Sequence, residues 1–300
     1  MPHDFTLTSG VLANGRTVYH GHLSGSQQGR FVIGYRTSYL GNFGLYNTST
    51  QQGLVYQPAD YEAQYGFWAW FLYPTALAES KGSFFCLNTY DRARFTFTFM
   101  QYAAHVPNGD FVVFLRKLLQ LPAAADYFPR LILQNNRICY RSDNGVISTL
   151  ESDASTEALM NYFNPTLNDI ERQELICSAR MVHWAQHDAA HRTLQVETAV
   201  AHLKEKLPEY HRRFGLHGAP ARVCLMVADI RHQGRAKNDR IAAALNTNGN
   251  YDRAYQNLTQ IGEVNYADRI RTLKNSVASL LTQGRYQMRY DAHANDFVPA

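Results

Sequence analysis

The chain has 300 residues, 45% hydrophobic and 18% charged, which excludes a disordered or fibrous class and leaves ample length to bury a core. Its formal net charge of +4 is uneven, since residues 201–300 hold 15 Lys and Arg against 9 Asp and Glu while residues 1–200 carry −2. Four scattered cysteines (Cys86, Cys139, Cys177, Cys224) form no CxxC pair, so a zinc ribbon or redox motif is excluded and buried thiols are expected.

In chain order, residues 1–58 read as short strands punctuated by glycines. RTVYHGHL and RFVIGYRTSYL carry the β-branched and aromatic content of strands, and a β-rich N-terminal extension is expected over 1–58. From Pro58 the pattern changes to a main domain over 59–300. Pro58 and Asp60 start a helix through YGFWAWFLY; Pro74 is expected to break or kink it, leaving TALAES as a short continuation that ends on Glu79. The alternation of Phe95, Phe97 and Phe99 with Thr96 and Thr98 has the period of a strand or hairpin. A helix beginning near Phe99 would set Gln101 and His105 on one face. VPNGDFVVFLRKLLQL predicts a helix stopped by Pro122, and FPRLILQNNRICYRSDNGVIST a strand pair turned at NNR and DNG. Residues 153–300 are expected to be mostly helical, with Gly262 and Gly284 as C-terminal stops, so the fold class is α+β.

No basic n-region or apolar h-region opens the chain, and no apolar run is long enough for a bilayer. Synthesis in the cytoplasm without a signal peptide, and no membrane span, are expected. No Walker loop, dinucleotide fingerprint or Ser–His–Asp elbow appears, so no cofactor is expected. His183, His187 and His191 have helical spacing that suits zinc, but no HExxH glutamate accompanies them; they read as a polar helix face, and no metal is expected. The basic last third suits an anionic partner. No nucleic-acid-binding motif accompanies it, so none of that class is expected.

Two carboxyls carry the chemistry. Glu79 follows Phe67, Trp68, Trp70 and Phe71, and desolvation among aromatics would favour its protonated form. Asp91, flanked by Asn88, Arg92 and Arg94, would stay ionised. A protonated and an ionised carboxyl are what glycosidic cleavage requires: one protonates the leaving oxygen, the other activates water or steadies the oxocarbenium-like sugar. Asp229 and His232, three apart on an apolar segment, are expected to share a buried network with Arg235.

The order of Glu79, a polar loop and D-R-A-R-F-T-F-T-F resembles the lysozyme-like superfamily, bacterial chitosanases most of all. Asp91, Phe95 and Thr96 match the pattern D-x-R-x-aromatic-T-x-G, whereas Ala93 stands where that family has Arg and Thr98 where it has Gly. Glu79, Ser80 and Gln101 are similar to positions of goose-type lysozymes and lytic transglycosylases. VCLMVADIRHQG resembles the long chitosanase helix beside the cleft, so that the resemblance spans about residues 60–240. It implies a mainly helical, two-lobed lysozyme-like domain with a small β-region at a cleft. Glu79 would be general acid and Asp91 general base or electrostatic stabiliser; Ser80, Thr96, Gln101, His105, Asp229, His232 and Arg235 would bind substrate or support the cleft. Inversion is implied, with the carboxyls roughly 6.5–9.5 Å apart.

The expected substrate is the glycan strand of peptidoglycan, whose stem-peptide carboxylates suit the basic last third. The lack of a signal peptide suggests dedicated export to the periplasm or cell wall by a secretion-machine carrier, as an antibacterial effector with a cognate immunity protein, or release by lysis, as an endolysin. The chain is also similar to type VI secreted muramidases, which are signal-less lysozyme-like proteins. A chitosanase, and a non-catalytic glycan-binding protein with a decayed lysozyme fold, are the alternatives.

Overall fold

The computed structural model describes every residue except Met1, Ser49, Thr50 and Gln52. Four strands open the chain: β1 (Phe5–Val11), β2 (Thr17–Leu23), β3 (Phe31–Tyr39) and β4 (Asn42–Asn47). A 3-10 turn at Pro58–Asp60 leads to α1 (Glu62–Tyr65) and α2 (Phe67–Ser80), followed by β5 (Leu87–Asn88), β6 (Thr96–Phe97) and β7 (Tyr102–Ala103). Then come α3 (Asp110–Leu118), α4 (Ala124–Tyr127), β8 (Leu131–Gln134), β9 (Arg137–Arg141), β10 (Ile147–Thr149) and α5 (Glu157–Phe163). The helices α6 (Arg172–His187), α7 (Ala189–Phe214), α8 (Ala221–Gln233), α9 (Asn238–Leu245), α10 (Tyr251–Thr259) and α11 (Ala267–Thr282) precede a terminal hairpin of β11 (Met288–Asp291) and β12 (Asp296–Pro299). The fold is α+β, and no helix of the described residues is long and apolar enough to cross a membrane.

The chain divides into two compact units, the first of residues 1–55 and 83–198, the second of residues 56–82 and 199–300. In the first, β1 to β7 form one antiparallel sheet in sequence order, so the N-terminal strands continue directly into the short strands around Asp91. The join is made by Tyr46 pairing with Asn88 and Asn47 with Leu87. Gly44 permits it, because a Cβ there would lie 2.6 Å from the Thr89 hydroxyl. A second sheet, ordered β10-β9-β8, turns at Asn135 and Asn136, both at positive φ (51° and 57°), as a two-residue hairpin turn demands. The long helix of this unit, α6, lays a buried stripe of Cys177, Met181, Val182 and Ala185 inward and packs against β1, β2 and β3.

In the second unit α2 is the central helix. It is apolar nearly all round, with Trp68, Phe71, Leu72 and Ala76 buried, and it packs against α11 and α8. Phe297 of the terminal hairpin sits 4.8 Å from Phe71 and 5.1 Å from Trp68, and Trp68 Nε1 donates to Asp296.

Three local expectations are corrected and one is narrowed. Pro74 does not break its helix: α2 runs unbroken from Phe67 to Ser80, the buried proline replacing one backbone donor with apolar contact. The Phe–Thr alternation gives a strand of only two residues, Thr96–Phe97, in a hairpin with Tyr102–Ala103, and Phe95, Phe97, Phe99, Thr96 and Thr98 are all buried. Thr98 stops it, with a φ of 92° that a β-branched residue rarely takes. Residues 99–105 are not helical; Gln101, at φ 56°, turns the chain into β7. The histidines of α6 and α7 are not a polar face, because His183 and His191 are buried in the core. All four cysteines are free and buried.

Candidate functional site

Glu79 occupies the last turn of α2, which ends where Lys81 and Gly82, both left-handed (φ 56° and 77°), carry the chain back. Their amides donate to the carbonyls of Leu77 and Ala76. Ser80 is spent on the helix itself, its hydroxyl donating to Ala76 at 3.2 Å. The Glu79 carboxylate meets Arg269 Nη2 at 2.7 Å and His232 Nε2 at 3.3 Å, while its side chain stays 15% exposed.

Arg269 is shared. The same Nη2 lies 2.6 Å from Asp229 Oδ1, and its Nε donates to Asp229 Oδ2 at 3.3 Å. Asp229 is buried on α8 and also accepts from Arg235 (2.5 Å) and from the Thr75 hydroxyl (3.3 Å). Two carboxylates and two guanidiniums therefore interleave, with His232 at the Glu79 end. Nε and Nη2 of Arg235 are buried without partners.

This arrangement sets the charge state of Glu79. Burial alone would raise its pKa, and the negative end of the α2 dipole acts the same way. Arg269 and His232 outweigh both and take it down to about 2. The expectation of a carboxyl protonated by aromatic surroundings is thus corrected. Eight residues separate Phe71 from Glu79, about 12 Å along a helix, so Phe67, Trp68, Trp70 and Phe71 are not its neighbours. The raised carboxyl lies elsewhere. Glu174, buried on α6 in the first unit, is pushed up to about 8 by burial, opposed only by hydrogen bonds from Thr89 and backbone amides. Sealed from solvent, it cannot touch a substrate.

The other expected site residues fall in the first unit. Asp91 closes a turn: Oδ1 accepts from the Ala93 amide at 2.9 Å and Oδ2 from the Asn88 side chain at 3.1 Å. Neither flanking arginine pairs with it, Arg94 turning instead to Asn161 and the Pro165 carbonyl. Thr96 pairs with Asn88 and Ala103 across β5, β6 and β7. The Gln101 amide donates to the carbonyls of Thr98 (3.0 Å) and Cys86 (3.3 Å), which fixes the turn rather than presenting a free group. His105 is half-buried with Nδ1 unpartnered; burial and Arg92 lower its pKa, and Asp91 opposes them.

Glu79, Asp229, His232 and Arg235 are therefore brought together, whereas Asp91, Thr96, Gln101 and His105 belong to the other unit. Arg269 is the residue that sequence reasoning missed. Its signal was present: Arg269, Leu273, Ser276 and Leu280 form one buried helical stripe, and a cation in such a stripe needs a buried anion. His183, His187 and His191 do not converge as metal ligands. His191 packs among Phe97, Phe114 and Trp184, whereas Nδ1 of His183 lies 2.8 Å from the Tyr127 hydroxyl. In comparisons with known proteins, no family model, no curated protein and no solved structure matches the chain.

Proposed function

We propose that the chain is a glycoside hydrolase of the lysozyme-like kind that cleaves peptidoglycan glycan strands, with Glu79 as proton donor and Asp91 as the carboxylate that activates water or steadies the cation. The observation that carries this reading is the hold on Glu79. A solvated helix end needs no partner, yet this carboxylate is gripped by Arg269 and His232 while part of it stays open to solvent.

In the free protein Glu79 is ionised, so donation requires that a bound glycan reload its proton. The geometry favours this in two ways. A sugar ring over the exposed edge removes the remaining water, which raises the pKa. Asp229 holds Arg269 through two contacts against the one made by Glu79, so Arg269 remains paired when Glu79 turns to the glycosidic oxygen. Asp229, Arg235 and Arg269 are then positioning residues, and His232 is the second side chain that holds the Glu79 carboxylate. The wider reading is an antibacterial effector or endolysin, exported by a dedicated carrier and matched by an immunity protein.

The test is digestion of purified sacculi with release of reducing ends and mass analysis of the muropeptides, with chitosan as control polymer. Glu79→Gln should lower turnover on the order of 10²–10⁴-fold while binding to sacculi persists and the protein stays folded, at a melting temperature lowered by the lost ion pairs. Asp91→Asn should also lower it. Because Glu79 is ionised in the free protein, kcat/KM should rise as pH falls below neutral. Unchanged turnover by Glu79→Gln defeats the assignment. A second reading, a non-catalytic glycan-binding protein, draws on the same ion pairs, since a structural glutamate would also be ionised and fully engaged; it predicts binding to sacculi without any released product.

A further inference from the structure

The first unit holds a cavity of about 540 Å³ that none of the chemistry above uses. This is within the roughly 300–1,000 Å³ of small-molecule sites. Its walls come from the β2–β3 turn and the start of β3, from Asn47, Gln51 and Leu54, and from the last turn of α6. The lower part is apolar, with Phe85, Leu54, Val32 and Phe31. The ring of Phe31 lies across β2 because residue 21 is glycine; a Cβ there would fall 2.6 Å from it.

The rim is polar and one-sided in charge. Arg30, His187 and the side-chain amides of Gln28, Gln51 and Gln186 line it, and no Asp or Glu does so among the described residues. Arg30 has no acidic partner among those residues, and the three amides are engaged nowhere else. Deeper in, His183 is locked by the Tyr127 hydroxyl, and its ring lies 4.2 Å from that of His187 at a tilt of 38°. Burial, then His187 and His3, bring His183 down to about 3, and burial with Arg192 lowers His187, so neither ring is cationic at neutral pH. Two imidazoles without a carboxylate or thiolate make a poor metal site. One unpaired guanidinium, three free amides and aromatic walls suit an organic anion with neutral hydrogen-bonding groups.

We propose that this cavity binds a small carboxylate-bearing, amide-rich ligand, with the carboxylate on Arg30, the amide or hydroxyl groups on Gln28, Gln51 and Gln186, and the apolar body against Phe31 and Phe85. An N-acylated acidic sugar and the carboxyl end of a short peptide share this chemistry. The proposal stands apart from the hydrolase reading, because Glu79 belongs to the other unit and the readout is binding alone.

The experiment is calorimetric titration of the full chain with three probes. N-acetylmuramic acid carries the carboxylate on a sugar, N-acetyl-D-alanyl-D-alanine carries it on a peptide, and N-acetylglucosamine has the acetamide and hydroxyls without it. At least one carboxylate probe should bind with a Kd of about 1 mM or below, and whichever binds identifies the source. N-acetylglucosamine should bind at least about tenfold more weakly, and Arg30→Gln should weaken the carboxylate probe by about tenfold or more. Arg30 is exposed and unpaired, so an unchanged melting temperature shows that this variant is folded. The proposal is overturned if neither carboxylate probe binds up to about 10 mM, if Arg30→Gln leaves Kd unchanged, or if the neutral sugar binds as well as the acids.

Discussion

Glu79 in the second unit and Glu174 in the first are both carboxyls on the inward side of a helix, yet they titrate in opposite directions. Glu79 has two basic neighbours, and they more than cancel its burial. Glu174 has no basic one: the Thr89 hydroxyl at 2.5 Å and backbone amides bond it, the charge of Asp169 adds to the effect of burial, and one of its oxygens is buried without any partner. Burial alone therefore does not decide which carboxyl is the acid; the partner does. Apolar sequence around a glutamate marks it as buried and leaves its protonation open.

The largest way to break the contrast is to remove the cation. Arg269→Met leaves Glu79 with His232 alone and Asp229 with Arg235 and Thr75, two neighbouring anions without the cation they share, and should cost about 3 kcal/mol at neutral pH, read by denaturant unfolding. The loss should shrink in mild acid, where the weakened carboxylates can take up protons. An equal loss at every pH would mean that Arg269 contributes packing and not charge.

Glu174 gives the next effect. Its folded pKa of about 8 lies above the unfolded value near 4.5, so the folded state holds the extra proton between them. Stability from this group is full below about pH 4.5, declines as pH rises, and levels off above about pH 8. The slope should approach about 1.4 kcal/mol per pH unit in that window. Glu174→Gln keeps the neutral shape, so it should flatten the profile and unfold at higher denaturant than the parent at pH 8. Glu79 has the reverse sign. Its depressed pKa contributes stability above about pH 4.5 that is lost as pH falls towards 2, about 3 kcal/mol in all, and Glu79→Gln should remove that acid limb.

The same pair shows what was legible in the sequence. Strands β2 and β3 and the helical run after residue 153 follow from local composition, because β-branched clusters and 3.6-residue stripes act within a few residues. The buried Asp229 was legible for the same reason, as an acid inside VCLMVADI. Its partner was not read, because Arg269 lies 40 positions on and pairing at that range leaves no local period. Glu174 was open to the same reading as Arg269: Glu174, Cys177, Ser178 and Met181 form one buried stripe. The terminal hairpin of β11 and β12 escaped because each strand is four residues long and they are joined through a turn without glycine.

The smallest effect falls on the strand that carried the family resemblance. Thr98 stands where the resembled pattern has glycine, and its backbone takes a φ of 92°. An L-residue with a branched Cβ is strained there by roughly 1–2 kcal/mol, and glycine is not. Against this, the Thr98 hydroxyl accepts from the Met100 amide at 3.2 Å, and glycine adds backbone entropy to the unfolded chain. Strain relief exceeds these losses only narrowly, so Thr98→Gly should stabilise the protein by about 0.5–1 kcal/mol, while Thr98→Ala should destabilise it. If Thr98→Gly destabilises as much as Thr98→Ala, the hydroxyl and not the backbone fixes this turn, and the glycine of the resembled pattern says nothing about this chain.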